Sequence, residues 1–91
     1  MDIDQERQFK FSVVPNPAST SVSVSVNADK ETEAQVMITD ITGRVVLTKT
    51  QPVSAGANKV ECDTRNFTEG LYNVQVIMDG IKATERLVIK Q

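Results

Sequence analysis

The chain has 91 residues, a net charge of −2 and no His, which is one domain near the lower size at which a single core suffices without staples. That balance gives no concentrated basic surface for nucleic acid and no attraction to an anionic membrane face. Without His, nucleophile triads and the common zinc sites lack their usual partner.

In chain order, the polar opening "MDIDQERQ" (residues 1–8) reads as a linker or leader ahead of a domain over residues 9–91. It holds no apolar signal-peptide core, and no run of the chain is long and apolar enough to span a bilayer. The sequence is therefore either cytoplasmic or a piece of a larger exported protein. Period-2 patterning then dominates. Phe9, Phe11 and Val13 alternate with Gln8, Lys10 and Ser12, which predicts a first strand. Pro15 and Pro17, around Asn16, fix φ and remove two backbone donors, so a sheet ladder cannot run through them. The residues before each proline are pushed toward extended conformations, and the stretch reads as a stiff corner.

Val22, Val24 and Val26 share one face of the next strand and Ser21, Ser23 and Ser25 the other. The serine face is expected in solvent. After the acidic turn carrying Asp29, Glu31 and Glu33, "AQVMITDI" places Ala34, Val36 and Ile38 together. Those acids lack the spacing of a calcium loop and read as a solvated connection. "DITG", Asp40 to Gly43, has the Asp-first, Gly-fourth preference of a type I turn. "RVVLTKT" and "NKVECDT" follow, separated by a reversal at Gly56. Cys62 is the only cysteine; it can form no disulfide within the chain and reads as a small buried apolar residue or an incidental thiol. If exposed, it could bridge two molecules.

"NFTEG" marks another reversal, and "LYNVQVIM" puts Tyr72, Val74, Val76 and Met78 on one face. A Tyr two residues past Gly70, at a strand start, is where a sandwich places a tyrosine corner, with the ring buried and the hydroxyl bonded to the loop. Asp79-Gly80 is a strong hairpin signal. The last run, "KATERLVIK", sets Ala83, Leu87 and Ile89 on one side, while Lys82, Glu85, Arg86 and Lys90 read as charges that discourage wrong pairing at an edge. No window shows a helical period. About seven short strands with turns between them predict an all-β fold, an antiparallel immunoglobulin-like β-sandwich. With aromatics at 4% and no Trp, its core must be built from Val, Ile, Leu and Met. No pair of acids is singled out for hydrolysis, no phosphate-cradling loop appears, and neither an enzyme nor a cofactor site is expected.

The order of these signals resembles a known family. "VVPNPASTSVSVSV", "VMITDITGRVV", "FTEGLYNVQVIMDG" and the terminal "ERLVIKQ" are together similar to the type A C-terminal sorting domain of the type IX secretion system. The matching positions are Pro15, Asn16 and Pro17; Asp40, Gly43 and Arg44; Gly70 and Tyr72; and Arg86, Leu87, Val88, Ile89 and Lys90. Position 86 is Arg where the family pattern has Lys. The resemblance implies the last domain of a protein of the Bacteroidetes group, joined to an upstream cargo and exported to the periplasm by a signal peptide at the far end. An outer-membrane translocon would recognise it there, and a cell-surface sortase would remove it, leaving the cargo at the outer membrane, on the cell surface or secreted. On this reading the final strand, Thr84 to Lys90, and the exposed turns form a recognition surface, the strand presenting unpaired backbone groups for strand addition by a receptor. Arg44, Arg86 and Lys90 would supply orienting charge, and a weak homodimer could form through an open edge. Two other readings remain: an ancillary carbohydrate- or protein-binding module, and a passive spacer of a secreted protein.

Overall fold

Strict alternation of Val and Ser makes a strand with one apolar face, and that face must find a second sheet to cover it. The computed structural model describes residues 11–91 and supplies that sheet. Its elements are β1 (Phe11–Val14), β2 (Ser21–Ala28), β3 (Thr32–Asp40), β4 (Val45–Val53), β5 (Gly56–Asp63), β6 (Gly70–Met78) and β7 (Ile81–Ile89). A three-stranded sheet in the order β1-β2-β5 packs on a four-stranded sheet in the order β4-β3-β6-β7, with every named pairing antiparallel. The fold is the expected all-β, immunoglobulin-like sandwich. Phe9 and the leader over residues 1–8 lie outside the described residues.

The core follows the alternation. Val22, Val24 and Val26 of β2 face Ala34, Val36 and Ile38 of β3, Val74 and Val76 of β6, and Leu87 and Ile89 of β7, all of them buried. Each such aliphatic side chain contributes about 1.5–3 kcal/mol relative to exposure. Cys62 is buried among them on β5, and that burial pushes its thiol pKa up. It is packing material, and no bridge between molecules follows from its position.

The turns take the forms their residues predict. Gly43 N–H donates to Asp40 C=O at 3.0 Å, closing the four-residue turn between β3 and β4. Asp79 and Gly80 have φ values of 57° and 78°, both left-handed, as the tightest two-residue hairpins require; they join Met78 to its partner Ile81. Pro52 sits within β4, which is tolerated because β4 is an edge strand.

Candidate functional site

Residues scattered over 75 positions meet at one end of the sandwich. β3 ends there at Asp40, opposite Tyr72, and β6 starts there at Gly70, opposite Ile89 of β7. The segment 18–20 and the loop 64–69 close the same end: Thr64 N–H donates to Thr20 C=O, and the Gln91 carboxamide N–H groups reach the carbonyls of Ser19, Thr64 and Phe67. A cavity of about 430 Å³ joins Arg44 and Val45 of the first turn to Phe67, Thr68 and Tyr72 of the second. The opposite end holds the acidic turn and the Asp79-Gly80 hairpin, tied by Lys30 Nζ to Asp79 Oδ2 at 3.6 Å.

At the motif-bearing end, Asp40 organises its own turn. Its Oδ1 accepts from Thr42 N–H, Thr42 Oγ1–H and Arg44 N–H, and its Oδ2 lies 3.3 Å from Arg44 Nε. The Thr42 hydroxyl, then the two backbone N–H groups and the Arg44 charge, hold its pKa below the usual carboxylate value. Gly43 has φ 92°, a conformation costly for a side chain. Asp40 and Gly43 thus shape the turn, and Arg44, whose side chain is 77% exposed, projects from it.

Tyr72 forms the predicted corner. Its ring is buried, its hydroxyl donates to Thr68 C=O at 2.6 Å, and Phe67 packs against it with ring centroids 5.2 Å apart. Gly70, with φ 150°, starts the strand beside it. Among the described aromatics, Phe11 and Tyr72 are buried and Phe67 packs on the core, so none forms an exposed platform for stacking a sugar.

The Pro-Asn-Pro elbow departs most from expectation. It does turn the chain between β1 and β2, with both peptide bonds preceding its prolines cis, yet its larger contact is with the far end of the sequence. The Asn16 carboxamide donates to Arg86 C=O at 2.9 Å and accepts from Val88 N–H at 2.9 Å. Two residues on, Ala18 N–H donates to Val88 C=O and Ala18 C=O accepts from Lys90 N–H, both at 2.8 Å, in a parallel bridge with Ile89. Asn16 and Ala18 together supply the edge partner of residues 86–90. The expectation that Thr84 to Lys90 offers free backbone for strand addition is corrected for its upper part: Arg86 C=O, Val88 N–H, Val88 C=O and Lys90 N–H are already taken. By the alternation of an antiparallel ladder, Lys82 and Thr84 also turn backbone groups outward, and among the described residues these have no partner.

Two further contributors were not foreseen. Ala18 is buried at the bridge. Thr64, fully buried, donates through Oγ1 to Ser19 C=O at 2.9 Å. A polar residue directly after the strand "VECD" was the available signal for Thr64; nothing local marks Ala18. Asp29, Glu31 and Glu33 are not gathered: among the described residues no group of three or more metal-ligating side chains is placed to hold an ion.

Residues 12–90 match the family described as a secretion system C-terminal sorting domain. Among solved structures, dimeric latent PorU from Porphyromonas gingivalis contains a region of similar fold, with a TM-score of 0.72 and 16% identity over 87% of this chain and 9% of that one. The chain thus spans less than a tenth of that protein, and the likeness is one of fold. No curated protein sequence matches.

Proposed function

From the premise that the chain belongs to the secretion system C-terminal sorting domain family, we propose that residues 9–91 are the export address of a larger protein and that residues 1–8 are the linker from its cargo. A type IX outer-membrane translocon recognises the domain in the periplasm, and a cell-surface sortase then removes it. The cargo is left at the outer membrane, on the cell surface or in the medium. The domain acts by being bound and catalyses nothing itself.

The observation that carries this reading is convergence. The turn at Asp40–Arg44, the corner at Gly70–Tyr72 and the strand end at residues 86–90 share one end of the sandwich, and the elbow is bonded to that strand end. Phe11, where the described chain begins, pairs with Val26 toward the opposite end. A cargo attached on that side would leave the motif-bearing end free for a receptor. A weak homodimer through a sheet edge would use β4 or the lower half of β7, because the upper half is covered.

The test is a fusion of the 91-residue chain behind a signal peptide and a fluorescent reporter, in a bacterium possessing the secretion system. Reporter on the surface or in the medium, lost in a secretion-deficient host, is the expected result. A folded fusion retained in the cell would reject the sorting reading and favour a binding or spacer module. Deleting residues 86–91 is a poor control, since it removes the fully buried Leu87 and Ile89 and is expected to unfold the domain.

A further inference from the structure

We propose that the outward side-chain face of β7, together with the adjoining start of β6, docks onto an acidic protein surface of the export machinery. The inference rests on the sorting reading above and deepens it: side chains are read, while the elbow covers the backbone edge along residues 86–90. Leu87 and Ile89 point into the core, so residues 82, 84, 86, 88 and 90 point out. Lys82, Arg86 and Lys90 therefore stand in a line on one face, about 13 Å between neighbours. Among the described residues none of the three has an ion-pair partner, whereas Lys30, Arg44 and Arg65 each do. The β6 neighbours of Lys82, Thr84, Arg86 and Val88 are Ile77, Gln75, Asn73 and Leu71, none acidic. The acid beside the line is Glu69, next to Lys90, whose Oε1 accepts from Gln91 N–H at 3.3 Å.

Between Arg86 and Lys90 the face turns apolar. Val88 pairs with Leu71, which is 49% exposed, and Ile41 at the adjacent turn is 76% exposed. An apolar centre flanked by cations without counter-ions is what a protein interface with a complementary acidic rim requires. In a chain of net charge −2, this local field would orient an approaching acidic partner. A lipid surface fits less well. Membrane-binding basic clusters gather four to eight cations within a short segment; this face spreads three over about 27 Å and presents no Trp or exposed ring to the headgroups.

The experiment uses the full-length reporter fusion with two triple variants. One neutralises the line (Lys82→Gln, Arg86→Gln, Lys90→Gln); the other conserves charge (Lys82→Arg, Arg86→Lys, Lys90→Arg). We expect roughly tenfold less exported reporter from the neutral triple and near wild-type export from the conserving one. Thermal melts of the purified chains check folding, and should the triple unfold, Arg86→Gln and Lys90→Gln are read singly. A photo-crosslinking residue at Leu71 in secreting cells should trap a protein through a segment rich in Asp and Glu, and the same residue at Ser25 on the other sheet should not. Wild-type export by the neutral triple, with the unaltered fusion exported, overturns this inference and leaves the sorting reading intact. Retention of the unaltered fusion sinks both. Charge-dependent binding to phosphatidylcholine vesicles containing about a third phosphatidylglycerol, with no Leu71 adduct, would overturn it in favour of a lipid surface.

Discussion

The two flanks of the sandwich are closed by different chemistry. Between β1 and β7, the elbow lends Asn16 and Ala18 as a substitute strand, with four bonds of 2.8–2.9 Å to residues 86–90. Between β4 and β5 no strand intervenes. There Lys49 Nζ donates to Glu61 C=O at 2.7 Å and Gln51 Nε2 to Lys59 C=O at 3.0 Å. Lys49 is paired with buried Val36 and so belongs to the inner face of β4, an inward charge at an edge that blocks a foreign strand. Glu85, paired with buried Val74, holds the same position low on β7, beyond the reach of the elbow. Short, preordered groups fix the upper half of β7. Long side chains, which lose more rotamer freedom when held, leave β4 the more adaptable edge.

The largest expected effect tests how deeply each edge strand is anchored. Leu87→Ala, at a fully buried site, should lower unfolding free energy in urea by about 2–5 kcal/mol. Leu47→Ala on β4, only partly buried, should lose on the order of 1 kcal/mol. Equal losses would remove the distinction between the flanks. Next comes the elbow. Asn16→Ala should cost about 1–2 kcal/mol and speed amide exchange at Val88, while Asn16→Asp keeps the acceptor for Val88 N–H and loses only the donor to Arg86 C=O. Unchanged Val88 exchange in Asn16→Ala would mean that the carboxamide does not hold the edge. Lys49→Met combined with Gln51→Ala should cost less than Asn16→Ala, about 0–1 kcal/mol; a greater loss would invert the ranking.

How far the sequence disclosed this depends on the range of each interaction. Alternation is local, so β2, β3 and β6 and their buried faces could be read from residues two apart. The turn at Asp40–Gly43, the hairpin at Asp79-Gly80 and the corner at Tyr72 were equally legible, since each uses residues within a few positions. The elbow was read correctly as a break in the ladder, because proline chemistry acts on its own residue. Its partner could not be read. Asn16 bonds to groups 70 and 72 residues away, and carboxamide-to-backbone pairing leaves no periodicity in the sequence. For the same reason β7 looked like an open edge. Its charges at residues 82, 86 and 90 were visible, but that no acid of β6 stands beside Lys82 or Arg86 needed the register with β6.

The smallest effect concerns one carboxylate in each region. Arg65 donates to Asp63 from its guanidinium and its backbone N–H, and these bonds hold the Asp63 pKa at about 2. Asp63 ends β5 on the side-chain-bridged flank, just before the loop 64–69, while Asp40, also held low, ends β3 and shapes the turn that carries Arg44. An unfolded Asp takes its proton near pH ~3.9. As pH falls below that, the unfolded state binds protons that folded Asp63 and Asp40 still refuse, so stability declines. For Asp63 the contribution is present above about pH 4 and is lost as pH falls through about 2. Urea midpoints measured across that window should fall on acidification. Asp63→Asn and Asp40→Asn should each flatten the fall slightly, since both pairs are short-range and Arg44 and Arg65 remain mostly in solvent. Only Asp40→Asn should also loosen the turn that presents Arg44, read as faster exchange of the Thr42 and Arg44 amides. If Asp63→Asn loosened that turn equally, the two regions would be coupled through the core and would not act as separate units.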